Sequence, residues 1–114
     1  MRVLLVEDDK TTLDAMKPLI EYMCGKEVDT AADGLEALNL AHNNEYDVVI
    51  TDFRMPHING VELIERIREF NNKPLFILTT AHPQEAKNKN YKVFTKPLNT
   101  SKLKRLLKKY KGVT

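Results

Sequence analysis

Short apolar runs alternate with amphipathic stretches along the chain, and the two patterns predict different elements. Short runs rich in Val, Ile, Leu and Phe are typical of buried strands. Apolar residues that recur every three or four positions predict helices with one buried face. The runs predict strands at residues 2–6, 27–31, 47–51, 74–79 and 91–95, and the periodic stretches predict helices at residues 12–23, 34–41, 60–70 and 101–110.

Strands and helices follow one another in turn, which favours one α/β domain over residues 1–114. Strands separated by helices usually run parallel, with helices on both faces of the sheet. The stretch at residues 82–90 breaks the alternation, because Pro83, Asn88 and Asn90 are poor residues for a helix interior. We therefore expect a doubly wound, five-stranded parallel sheet in which the helix before the last strand is shortened or missing.

Polar side chains that can carry chemistry stand at the ends of four predicted strands. In parallel α/β sheets, ligands bind outside the carboxyl ends of the strands, where the strand order reverses. The side chains at these ends are therefore candidates for one shared site. They are Glu7, Asp8 and Asp9 after the first strand, Asp52 after the third, Thr79 and Thr80 at the fourth, and Lys96 and Pro97 after the fifth.

These residue types suit a phosphoryl group that is held by a divalent cation. Clustered carboxylates repel one another unless a cation neutralises them. Hard carboxylate oxygens without a nearby His or Cys cluster favour Mg²⁺ over zinc. An added lysine would neutralise phosphoryl oxygens, and an added hydroxyl would donate a hydrogen bond to them.

The order and spacing of these motifs resemble the receiver domains of bacterial response regulators. The resemblance covers nearly the whole chain, from Met1 to about Tyr110. It implies the flavodoxin-like strand order 2-1-3-4-5. It also implies a Mg²⁺-dependent switch that accepts a phosphoryl group from a phosphohistidine. The motifs are V-E-D-D at 6–9, D-F-R-M-P at 52–56, Gly60, T-A at 80–81 and K-P at 96–97.

The resemblance assigns the phosphoacceptor and the metal ligands residue by residue. Asp52 matches the phosphoacceptor, whose carboxylate forms an acyl phosphate. Glu7 and Asp8 match the family's acidic pair, with Asp8 binding Mg²⁺ directly and Glu7 acting largely through water. The backbone carbonyl of Arg54 matches a further metal ligand, and Asp52 completes the set. Asp9 lies one place beyond the pair and is expected to cap the first helix.

Two further roles follow from the resemblance. Thr80 matches the hydroxyl that responds to the phosphate, because it precedes the small residue Ala81. Thr79 should point to the other face of its strand. Lys96 matches the phosphate-binding lysine, and the peptide bond between Lys96 and Pro97 is expected to be cis.

The chain departs from the family pattern at two places. An aromatic residue usually stands three residues before the lysine, but Val93 occupies that position here. Tyr91 shares strand parity with Val93 and could replace the aromatic residue. Only fifteen residues separate Thr80 from Lys96, which is fewer than is usual and again predicts a reduced helix there.

Charge is distributed unevenly along the chain. Residues 1–86 carry 8 basic and 16 acidic side chains, whereas residues 87–114 carry 10 basic and no acidic ones. This imbalance fits an interaction surface or a solvated helix face equally well. The expected partners are a sensor histidine kinase or phosphotransfer protein, and a downstream protein with an acidic patch or a fused output domain. Nucleic acid is not expected, because the lysines lack interleaved aromatic residues or a groove-reading motif.

The remaining features favour a cytoplasmic protein that does not insert into a membrane. The longest apolar runs have four residues, far fewer than the roughly 20 that span a bilayer. The single cysteine, Cys24, cannot form an internal disulfide, which is typical of a reducing compartment.

Two alternative functions use some of the same residues. A haloacid-dehalogenase-type phosphatase also forms an aspartyl phosphate with Mg²⁺, but it needs an Asp where this chain has Arg54. A degenerate receiver would only bind proteins, and the intact acidic, hydroxyl and lysine positions disfavour it. We expect a domain that modifies itself once and hydrolyses slowly, and therefore no turnover enzyme.

Overall fold

The structure is a computed structural model that describes residues 1–25, 27–85 and 91–112. Within these residues, five strands alternate with four α-helices, as the sequence pattern predicted. The elements are β1 Val3–Val6, α1 Lys10–Cys24, β2 Val28–Ala31, α2 Gly34–Asn43, β3 Val48–Asp52, α3 Gly60–Arg68, β4 Leu75–Thr80, β5 Lys92–Thr95 and α4 Thr100–Gly112.

The five strands form one parallel sheet in the order β2-β1-β3-β4-β5, which confirms the predicted fold class. The register sets Val6 opposite Thr51 and Asp52 opposite Thr79. Thr80 is opposite Thr95 in the outer pair. The carboxyl ends of β1, β3, β4 and β5 therefore meet at one edge of the sheet.

Alternating strand residues pack into two cores, one on each face of the sheet. One core lies under α2 and α3 and the other under α1 and α4, so both faces are covered. The α2–α3 core includes Leu4, Val49, Phe76, Leu78, Ala37, Leu63 and Ile67, and the α1–α4 core includes Val3, Leu5, Ile50, Ile77, Ile20, Leu103 and Leu107.

Short polar side chains fix the starts of the helices. Asp9 caps α1 by accepting a hydrogen bond from the Thr12 backbone N–H at 3.1 Å, as predicted. Asn59 and Glu62 form a capping box at the start of α3. Each of these two caps lies just beyond a loop at the carboxyl edge of the sheet, so each helps to hold that edge in place.

The connection between β4 and β5 contains a short 3-10 helix at Pro83–Glu85 in its described part. This agrees with the predicted reduction of the helix before the last strand, and residues 86–90 lie outside the described residues. Among the described helices, none is long and apolar enough to cross a membrane.

Candidate functional site

Three carboxylates from two strand ends converge at the carboxyl edge of the sheet. Glu7 and Asp8 follow β1 and Asp52 ends β3, and one oxygen from each lies within 4.8 Å of the others. Glu7 and Asp52 are only 3% and 8% exposed, whereas Asp8 is exposed to solvent. A cation placed between them would be held by charged oxygen ligands and reached from solvent through Asp8.

Lys96 brings a positive charge to the same cluster from the end of β5. Its Nζ lies 3.1 Å from Asp52 Oδ1 and 3.3 Å from Glu7 Oε1. Its backbone N–H donates to the Thr80 carbonyl at 2.8 Å, which holds the strand end in register. The following peptide bond to Pro97 is cis, as predicted. The lysine thus links the two buried carboxylates that the register brings together.

Burial and charge give this cluster unusual electrostatics. Burial, followed by the negative charge of Asp52, raises the pKa of Glu7 to about 7. Burial alone would lower the pKa of Lys96, but its hydrogen bond to Asp52 and the charges of Asp52 and Glu7 raise it overall. One ammonium therefore neutralises only part of the negative charge. The chemistry of the donor set fits a hard divalent cation that would supply the remainder.

Gly60 holds the backbone of Asp52 closely from the start of α3. A Cβ on this residue would lie 2.3 Å from the Asp52 carbonyl oxygen and 2.6 Å from Leu78 Cδ1. Its N–H also donates to the Phe53 carbonyl at 2.7 Å. The sequence pattern identified Gly60 only as one of the family motifs, and it did not predict this packing role. A glycine at a motif position is compatible with a close backbone approach, but the sequence does not say which backbone it meets.

The chain matches the family model of the response regulator receiver domain over residues 3–108. It is a member of the response regulator receiver domain family. Receiver domains of two-component systems act as signalling switches with histidine kinases and output domains. This membership excludes the haloacid-dehalogenase class as the family of the chain.

Relatives with this domain include a sensor protein and a transcriptional regulator. The chain is 45% identical over 74 residues to the virulence sensor protein BvgS of Bordetella bronchiseptica, which covers 65% of this chain and 6% of that protein. It is 40% identical over 78 residues to the transcriptional regulatory protein CpxR homolog of Haemophilus influenzae, which covers 68% and 34%. The matched region is thus a small part of both relatives.

A solved receiver domain has the same fold. The receiver domain of the sensor histidine kinase PA1611 from Pseudomonas aeruginosa PAO1 is similar with a TM-score of 0.84 and 26% identity, over 97% of each chain. That structure has a magnesium ion coordinated in its active site cleft.

Thr80 of the receiver motif and the preceding Thr79 lie side by side on β4 and make different contacts. The hydroxyl of Thr80 accepts the His82 backbone N–H at 3.0 Å, and the residue is 2% exposed. The hydroxyl of Thr79 donates to the Thr51 carbonyl at 3.4 Å. Because adjacent strand residues point to opposite faces, Thr80 shares its face with Leu78 and the α2–α3 core.

Tyr91, which the sequence offered as a replacement for the family's aromatic residue, lies on the same face of the sheet as Thr80. Tyr91 and Val93 both pack partly buried against the α2–α3 core, whereas Phe94 belongs to the opposite core. The parity predicted from the sequence is therefore present in the structure. Burial, followed by the charge of Glu65, raises the pKa of the Tyr91 hydroxyl.

An apolar groove that the sequence did not reveal opens beside Lys96. It has a volume of about 570 Å³ and lies between α1 and the segment that follows β5. Leu19 lines it and is 48% exposed, although it lies within the periodic apolar stretch that predicted this helix. Its other lining residues include Met16, Ile20, Thr79, Lys96, Pro97 and Leu98.

Proposed function

We propose that the chain is a phosphorylation switch whose phosphoacceptor is Asp52. A carboxylate oxygen of Asp52 would attack the phosphorus of a phosphohistidine, so that a P–O bond forms and the P–N bond breaks. The product is an acyl phosphate, and the histidine leaves as the neutral imidazole after taking up a proton. The observation that carries this proposal is Asp52 within 3.1 Å of Lys96 Nζ in a cluster of three carboxylates.

The proposed metal is Mg²⁺, held by the carboxylates of Glu7, Asp8 and Asp52 and by the backbone carbonyl of Arg54. When bound, the ion would neutralise phosphoryl oxygens and relieve the repulsion among these carboxylates. As the family motif implies, Asp8 would bind the ion directly and Glu7 would act largely through water. The exposure of Asp8 fits a ligand that the arriving ion meets first. The Arg54 carbonyl remains a prediction from the family motif.

Lys96 and Thr80 are the proposed partners of the phosphoryl oxygens. Lys96 already contacts the Asp52 carboxylate. Once Asp52 carries the phosphoryl group, the Lys96 ammonium would pair with a phosphoryl oxygen instead. Thr80 would exchange its bond to the His82 N–H for one to the phosphate. The domain is modified once and hydrolyses slowly, so it acts as a switch and has no turnover activity on a separate substrate.

Phosphorylation by a small donor is the direct test of this function. Incubation with Mg²⁺ and acetyl phosphate should add one phosphoryl group, detected by intact-mass spectrometry. The adduct should be released by hydroxylamine, because acyl phosphates react with it. A chain that gains no phosphate under these conditions would favour a receiver that only binds proteins.

Metal binding separates the roles of two neighbouring carboxylates. Asp8→Asn should weaken Mg²⁺ binding about tenfold or more, because it removes a directly coordinating charge. Asp9→Asn is the matched control, since Asp9 is exposed and its carboxylate already caps α1 through Thr12. Isothermal titration calorimetry with Mg²⁺ measures both affinities. A larger loss of Mg²⁺ affinity in Asp9→Asn would mean that Asp9, and not Asp8, is the direct metal ligand.

The hydroxyl of Thr80 should decide how strongly the domain responds to phosphate. Thr80→Ala should still accept phosphate at Asp52 but should show a reduced structural response. The phosphorylated domain would lack the bond from the Thr80 hydroxyl to the phosphate, and this bond is absent from the unphosphorylated domain. NMR spectra with and without the phosphate mimic beryllofluoride measure this response. Thr79→Ala is the matched control, and Thr80→Ser should restore the response. A wild-type spectral response in Thr80→Ala would show that Thr80 is not the hydroxyl that responds to the phosphate.

The proposed phosphodonor is a sensor histidine kinase or phosphotransfer protein, and the apolar groove beside Lys96 is where it would dock. Lys96 and Thr79 line this groove, so a helix seated on Leu19 would bring its phosphohistidine to Asp52. We place this exchange in the cytoplasm, a reducing compartment that suits a chain with a single, buried cysteine, Cys24. The downstream partner is proposed to be a protein with an acidic patch or a fused output domain.

A further inference from the structure

The corner between β2 and α2 is joined to the carboxylate cluster, although none of its own side chains belongs to that cluster. We call residues 31–34 the β2–α2 corner. The Ala31 carbonyl accepts the Glu7 backbone N–H at 3.1 Å, which ties the corner to the loop after β1. The Asp33 carboxylate accepts the Glu36 backbone N–H at 2.8 Å, and the Glu36 carboxylate accepts a backbone N–H of the corner in return. These reciprocal bonds fix the shape of the corner.

The other end of the β2–α2 corner holds the loop that joins β3 to α3. Ile58 in this loop is 6% exposed and packs into the α2–α3 core. A Cβ on Gly34 would overlap the Ile58 Cγ1 atom, and it would lie 3.0 Å from Cδ1 and 3.1 Å from the carbonyl oxygen. Ile58 therefore occupies the space that any side chain at position 34 would need.

The backbone of the β3–α3 loop is strained where Ile58 turns inward. The Ile58 N–H donates to the Pro56 carbonyl at 3.0 Å, and the intervening His57 has a φ of 75°. Such a bond around a residue with positive φ is the pattern of the rarer, strained form of γ-turn. Histidine adopts this region more readily than most side chains, but it is still disfavoured there. A strained turn persists only where the surrounding structure holds it, and the burial of Ile58 beside Gly34 provides that hold.

The strained loop contains Arg54, whose backbone carbonyl is a proposed ligand of Mg²⁺. The loop is closed at its ends, because Phe53 donates its N–H to a β4 carbonyl at 2.9 Å and accepts the Gly60 N–H at 2.7 Å. Of residues 54–59, all of which the structure describes, only Ile58 is buried. The position of the Arg54 carbonyl within the closed loop therefore depends on where Ile58 is seated.

We propose that Gly34 and Ile58 are positioning residues for the metal site. The β2–α2 corner contacts the loop that carries Glu7 and Asp8 and also the loop that carries the Arg54 carbonyl, so it sets the separation between them. Mg²⁺ demands nearly ideal octahedral geometry, and a small shift of one oxygen ligand should therefore lower its affinity. The inference rests on the proposed Mg²⁺ site and extends it to residues outside the coordination set.

Gly34→Ala should lower the Mg²⁺ affinity about tenfold, the scale found for residues that orient metal ligands. NMR titration of the folded domain with MgCl₂ measures this affinity, and hydrogen exchange of the Gly60 N–H should show a loosened loop before metal is added. The matched control is Ala41→Gly, which weakens α2 two turns away from the corner and within the same core. This control should bind Mg²⁺ as the wild type does. Circular dichroism verifies that the variants fold.

A size exchange separates positioning from loss of stability. Ile58→Ala should also lower the Mg²⁺ affinity, because the loop loses its buried anchor, and it tests the same contact where Gly34→Ala does not fold. The pair Gly34→Ala/Ile58→Ala should bind Mg²⁺ more tightly than either single variant, since the methyl group at position 34 then fills part of the space that Ile58 leaves.

Three results would overturn the inference while leaving the metal site intact. They are wild-type Mg²⁺ affinity in both folded single variants, a loss in Ala41→Gly as large as in Gly34→Ala, and a pair that binds more weakly than either single variant. The first would make the contact purely structural, the second would make the effect a general loss of stability, and the third would make the two losses independent. A wild-type domain that binds no Mg²⁺ would overturn the proposed metal site and this inference together.

Discussion

Asp52→Asn is expected to abolish phosphorylation by acetyl phosphate in the presence of Mg²⁺. The carboxamide has no anionic oxygen to attack phosphorus, and the substitution removes one of the three carboxylates proposed to hold the ion. It also removes the charged partner of Lys96, which lies 3.1 Å from Asp52 Oδ1. Intact-mass spectrometry should show one added phosphoryl group on the wild type and none on the variant.

The neighbouring residue Asp9 provides the control for this loss. Asp9→Asn removes an exposed carboxylate that caps α1 and lies outside the three-carboxylate cluster, so it should still be phosphorylated. Circular dichroism should show that both variants are folded. An equal mass gain in Asp52→Asn and the wild type would place the phosphate on a different side chain and refute the assignment.

Gly60→Ala is expected to destabilise the fold by about 1–3 kcal/mol, the usual range for adding a methyl group to a closely packed site. The added Cβ would lie 2.3 Å from the Asp52 carbonyl oxygen, so the end of β3 or the start of α3 must move. Because this movement shifts the backbone of Asp52, phosphorylation by acetyl phosphate should also slow. Denaturant unfolding measures the stability, and time-resolved mass spectrometry measures the rate.

A second substitution identifies which contact causes the effect. The Cβ would also lie 2.6 Å from Leu78 Cδ1, and Leu78→Val removes that methyl position. Gly60→Ala should remain destabilising in the Leu78→Val background, because the contact with the Asp52 backbone persists. If Gly60→Ala caused no loss of stability in the Leu78→Val background, the contact with the Leu78 side chain would be the cause of the destabilisation. A Gly60→Ala variant as stable as the wild type would contradict this prediction, because it would show that the loop before α3 can move to accommodate the added Cβ.

The sequence determined the elements and the inventory of the site, because both depend on local pattern. Apolar runs and helical periodicity located the five strands and four helices to within a few residues at their ends. Polar residues at strand ends identified Glu7, Asp8, Asp52 and Lys96, since parallel strands present their carboxyl ends at a common edge. Asp9 as a helix cap follows equally from its position before α1.

The tertiary structure decided the environment of each residue, because burial and close approach depend on parts of the chain that are distant in sequence. The predicted helix extended to Phe70, yet α3 ends at Arg68. Phe70 is 41% exposed, and its ring stacks on His42. Glu7 and Asp8 are adjacent carboxylates, but only Glu7 is buried and paired with Lys96. These differences arise from strand register and from packing between helices and sheet, and local sequence patterns encode neither directly.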